Sequence, residues 1–138
     1  ETQVITEFTD VRFYIIYDYK NLNSNSMLVH LRYGNELFTF SDTRGITEEY
    51  YYSLLNVSDK TRVLRVPASG SFSFTAPESI IRANPESVII SSNRSRKNLN
   101  SDIFSESLKG IGINVYNIGE LGAVIFETDG TKTENIDW

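Results

Sequence analysis

Two strand-like runs, Met27–Tyr33 (MLVHLRY) and residues 36–40 (ELFTF), are separated only by Gly34-Asn35. A two-residue loop joins such runs as an antiparallel hairpin, and glycine supplies the positive φ that a tight turn requires. Whatever else the chain forms, it must therefore contain a sheet with an antiparallel pair. The remaining sequence alternates short β-branched or aromatic runs with stretches of helical pattern.

Val11–Tyr17 (VRFYIIY) reads as a strand, followed by a polar, Asn-rich connection over residues 18–26. Residues 47–55 predict a short helix, with Glu48 and Glu49 in the first turn, where they favour the positive end of the helix dipole. Residues 62–66 return as a strand. Thr75-Ala76-Pro77-Glu78 has capping-box spacing, which predicts a helix running to Ala83, and Asn84-Pro85 should end it. Residues 87–91 form a nearly continuous apolar strand, as in a sheet covered on both faces. Residues 102–109 put Ile103, Phe104, Ser107 and Leu108 on one side at helical spacing, with Gly110 as the stop. Strands over 113–116 and 122–127 close the set, and residues 131–138 read as a polar tail.

Because the strands at 62–66, 87–91 and 113–116 are joined through helices, they should run parallel, whereas the hairpin is antiparallel. The expected fold class is α/β: a mixed β-sheet with flanking helices, in one domain over residues 1–138. The 138 residues, 40% of them hydrophobic, suffice for one such core. A net charge of -5 argues against a whole-surface nucleic-acid binder, since phosphate rewards clustered Lys and Arg. With no cysteine, the chain has no disulfide framework, thiolate ligand or thiol nucleophile. Apolar runs of only a few residues predict a soluble domain without a membrane-spanning helix. A start at Glu1 suggests a processed protein or a piece of a longer one.

Several segments in one order carry a family resemblance. Asn23-Ser24-Asn25-Ser26-Met27-Leu28-Val29-His30-Leu31-Arg32-Tyr33-Gly34 is similar to a strand of the metallo-β-lactamase-like domain of competence proteins of the ComEC type. Leu37-Phe38-Thr39-Phe40-Ser41-Asp42 resembles the strand of that family that ends in a metal-binding aspartate. Val66-Pro67-Ala68-Ser69-Gly70-Ser71 is similar to its Val-Pro-His-His-Gly-Ser strand end, and Ala83-Asn84-Pro85-Glu86-Ser87-Val88-Ile89-Ile90-Ser91 to its Val-Asn-Pro-x-x-Ala-Val-Ile-Ser strand. Gly112-Ile113-Asn114-Val115-Tyr116 and Gly122-Ala123-Val124-Ile125-Phe126-Glu127-Thr128-Asp129-Gly130 resemble the closing strands. The resemblance implies half of a metallo-β-lactamase αββα sandwich, of bacterial origin, on the extracytoplasmic or cell-surface side.

The departures fall on the metal-binding positions. Ala68 and Ser69 stand where the family has histidines, and Gly70 and Ser71 keep the turn. Leu99 lies in the loop where the family has a further histidine, and the ligand-bearing amino-terminal half has no counterpart before Val11. Zinc is held by His, Cys and carboxylates, and a catalytic site needs three protein ligands. Asp42 alone survives as a metal candidate, and an acidic residue at a strand end is more commonly a turn cap. The sequence therefore predicts a noncatalytic binding or assembly module without a cofactor. The alternative is a fragment of a metal-dependent, nuclease-like hydrolase, related to DNA uptake, whose other ligands lie on an absent segment.

The remaining candidates are few. His30 has no metal-ligand neighbour at suitable spacing and reads as solvent-facing or hydrogen-bonded. Ser69 and Ser71 lack the Gly-x-Ser-x-Gly elbow and a base, so they read as turn residues. Arg94, Arg96 and Lys97 form the one cationic loop, a candidate for an anion or single-stranded nucleic acid. Tyr50, Tyr51 and Tyr52 cannot all face one core from a helix, which makes them interface candidates. Losing half of a sandwich leaves apolar sheet surface bare, to be covered by a second copy, an amino-terminal strand or a protein partner.

Overall fold

The computed structural model describes residues 2–8, 10–17, 27–42, 61–66, 80–81, 83–92 and 99–136; for residues 2–8, 16, 17, 42 and 99–101 it describes the backbone alone. Seven strands lie in one sheet in sequence order: β1 (Thr2–Phe8), β2 (Val11–Tyr17), β3 (Met27–Tyr33), β4 (Glu36–Asp42), β5 (Thr61–Val66), β6 (Ser87–Ile90) and β7 (Asn114–Asn117). The first four pair antiparallel, and β4 to β7 pair parallel. The mixed α/β sheet expected from the sequence is thus present, with the Gly34-Asn35 hairpin at β3–β4.

The described parts of the connections from β5 to β6 and from β6 to β7 pack on one face of the sheet. That face holds the core. Leu28, Leu64, Val66, Val88 and Ile90 on the strands pack against Ile80, Ala83, Phe104 and Leu108. Phe104 and Leu108 belong to helix α1 (Leu99–Gly110), one turn apart on its inner side. Ile103 and Ser107, expected beside them, are exposed. The buried stripe is narrower than the sequence pattern because the helix lies at the sheet margin, against β7.

Ile80, Ile81 and Ala83 are helical, and Asn84 takes a left-handed φ of 45°. Its amide donates to the carbonyls of Ile80 and Ile81, both at 3.1 Å, which ends the turn where Asn84-Pro85 predicted. Three features were not foreseen. β1 lies before the expected first strand, and a short helix, α2 (Ile118–Leu121), follows β7. Residues 133–136 are not a polar tail: Thr133–Ile136 forms β9, paired antiparallel with β8 (Ile125–Thr128) in a second, two-stranded sheet.

Nor does the amino-terminal strand cover the face that was expected to be bare. β1 pairs edge-on with β2 and widens the sheet in its own plane. No helix among the described residues is long and apolar enough to cross a membrane.

Candidate functional site

Strand register sorts the polar side chains of the sheet into two groups. Tyr14, His30 and Thr39 are cross-strand partners and share the helical face. His30 is buried, and its Nδ1 lies 2.9 Å from Thr39 Oγ1, which in turn lies 3.5 Å from Thr61 Oγ1. Burial pushes the imidazole down to a pKa of about 4, so the ring is neutral at pH 7. Of the two readings the sequence allowed, the hydrogen-bonded one is observed.

A second network lies at the amino ends of the parallel strands. Between Leu37↔Thr61 and Phe38↔Val63, β5 carries one extra residue, Arg62. Such a bulge turns two successive residues to one side, which brings Arg62 onto the face of Glu36 and Val63. Arg62 Nε donates to Glu36 Oε1 at 3.0 Å, and its Nη1 reaches Glu86 Oε2 at 2.5 Å. Glu86 and then Glu36 raise the guanidinium's pKa by accepting these bonds. Glu36 is fully buried, and Thr133 Oγ1 donates to its other oxygen at 2.6 Å. That bond ties the β8–β9 hairpin to the main sheet.

The hairpin is clasped a second time where two turns meet. Asn35 N donates to Gly130 O at 2.7 Å, and a Cβ on Gly34, whose φ is 57°, would collide with that carbonyl. Tyr116 and Phe126 meet edge to face, with ring centroids 5.4 Å apart. A polar cleft of about 160 Å³ remains between the sheets, bordered by Ser87, Asn114, Thr133 and Asn135. Its charged groups are satisfied by one another, which makes the network a clasp. No linear pattern announces it, since Glu36 and Thr133 are 97 positions apart.

The face away from α1 is different toward the carboxyl ends of the strands. Register aligns Ile15, Val29, Phe40, Arg65 and Ile89 in one row across β2 to β6, with Met27 two positions along β3 from Val29. Met27 and Phe40 are each 43% exposed. Arg65 Nη1 donates to Ser41 O at 2.9 Å and its Nε to Ser91 Oγ at 3.5 Å, so its stem lies along the row while its head bonds to the neighbouring strands.

The residual metal candidate, Asp42, has few partners of the right chemistry among the described residues. The chain has one histidine and no cysteine. His30 is committed to Thr39 within the core, and the backbone of Asp42, paired with Met27, lies three positions beyond Thr39, about 10 Å along β4. Among the described residues no group of three or more His, Cys, Asp or Glu is placed to hold a metal ion. Ala68, Ser69, Gly70, Ser71, Arg94, Arg96, Lys97, Tyr50, Tyr51 and Tyr52 lie outside the described residues, as does the helix expected over 47–55. Leu99 opens α1.

No family model matches the sequence, and no curated protein matches it.

Proposed function

We propose that this chain is a noncatalytic binding or assembly module, built on a sheet of the metallo-β-lactamase-like kind and stripped of the metal chemistry. The observation that carries this reading is the apolar row on the face away from α1, where Phe40 on the central strand and Met27 at the start of β3 stand half-bare. Apolar surface in the centre of a sheet is costly to leave in water, at about 25 cal/mol per Å². The chain's supply of strong ligands points the same way: a single buried histidine cannot furnish a zinc site.

In this reading a second copy of the chain covers the row, sheet against sheet, as the two halves of the resembled sandwich do. The two-copy arrangement follows because sheets pack face to face about 10 Å apart when their inner sides are apolar. Sedimentation of the wild-type chain over a range of concentrations should show a dimer, and Phe40→Asp should shift it to monomer with unchanged circular dichroism. A monomer at all concentrations, or a dimer indifferent to Phe40→Asp and Met27→Ser, overturns the assignment. A separate proposal, weak binding of single-stranded nucleic acid by Arg94, Arg96 and Lys97, predicts that changing all three to Ala removes binding and flattens its salt dependence.

A further inference from the structure

We infer that the free edge of β7 is a strand-addition site for an extended peptide segment of another protein. Among the described residues β7 is the last strand of the sheet and pairs only with β6. Asn114 N donates to Glu86 O at 3.1 Å, so its peptide group faces β6. In a pleated strand the next residue faces the other way, which turns the N–H and C=O of Val115 out of the sheet. Beside them runs a cleft of about 400 Å³, lined by Lys109, Gly112, Ile113, Asn114, Val115 and Tyr116. Its floor is therefore the strand's own edge, and one wall is the turn by which α1 leaves for β7.

The two edges of the sheet differ in a way that matters. β1 carries a register shift between Val4 and Glu7, the kind of irregularity that prevents another strand from pairing. β7 keeps four consecutive rungs with β6 and no shift. Gly112 has a φ of 85° and nothing within 4 Å of where a Cβ would stand, so the turn leaves the mouth of the cleft clear. Ile111, 54% exposed, adds apolar surface next to it.

The length of the edge selects the occupant. Four residues extend about 13 Å, too little to support the roughly 1,200 Å² or more of a stable two-copy interface. A linear peptide needs only this much, because main-chain hydrogen bonds supply affinity and alternate side chains enter pockets on either side. Half-buried Val115 and Tyr116 point to opposite faces, which favours apolar residues at both alternations of the peptide near them. The site does not involve Met27 or Phe40, and it stands whether or not the apolar face is covered.

The probe is a phage-displayed library of random linear peptides selected on the immobilised full chain, with the selected peptides then synthesised. They should slow amide exchange at Val115 and Asn117, while Asn114 and Tyr116, already paired to β6, change little. Val115→Pro removes the outward N–H and spares the bonds to β6, and should weaken binding about tenfold. Should that variant unfold, N-methylation of alternate peptide residues decides: one phase should abolish binding and the other leave it intact. Equal binding by both phases, peptides that protect amides elsewhere, or a library that yields no binder overturns the inference. A dimer of the chain that Val115→Pro dissolves would also overturn it, by giving the edge to a second copy.

Discussion

His30 carries the clearest pH signature at the level of single residues. Its folded pKa of about 4 lies below the ordinary 6.5, so between these values the unfolded chain binds a proton that the folded chain does not. The stabilisation is fully present above pH 6.5 and is lost as pH falls toward 4, by up to about 3 kcal/mol. Denaturant unfolding of wild type and His30→Gln between pH 7.5 and 4 should show a steeper decline for the wild type; parallel curves would mean that the imidazole is solvated in the fold. Gly34 makes a second residue-level case. Gly34→Ala and Gly112→Ala both impose a strained positive φ, worth about 1 kcal/mol or more. Only at Gly34 would the new Cβ strike a backbone carbonyl, that of Gly130. Thermal unfolding should therefore rank Gly34→Ala as the more damaging of the two.

Among the elements, the β8–β9 hairpin depends on a clasp whose parts are far apart in the chain. Arg62→Ala would leave the buried Glu36 carboxylate without its cation, a loss of about 3 kcal/mol. Thr133→Val removes one charge-assisted bond, about 1.5 kcal/mol. Both bonds end on Glu36, so the double variant should cost less than the sum, and strict additivity in a double-mutant cycle would show that Arg62 and Thr133 act independently. The strands and α1 were legible because their signals are local: the Gly34-Asn35 loop, the apolar run at 87–91, the spacing of Phe104 and Leu108. β9 was not, because TENI is polar and alternates weakly, and it becomes a strand only through pairing with Ile125–Thr128. β1 was missed for a related reason, since it is a polar-interrupted edge held by β2. The bulge at Arg62 has no sequence mark, and with it the whole clasp stayed hidden.

For the whole molecule, the proposed function joins a scaffold of the resembled kind to the loss of its metal chemistry. The parallel strands, the hairpin and the turn at Asn84-Pro85 follow one another as the sequence pattern predicts. The positions where that resemblance calls for histidine hold Ala68, Ser69 and Leu99. What the sheet offers instead is surface, in the row through Phe40 and at the edge of β7. The most direct measurement is calorimetric titration of the purified chain with zinc and with manganese, followed by an assay on single-stranded DNA with either metal present. The account predicts no stoichiometric binding and hydrolysis equal to the buffer blank. One equivalent of tightly bound metal, with turnover that Asp42→Asn abolishes, would contradict it and favour the hydrolase fragment.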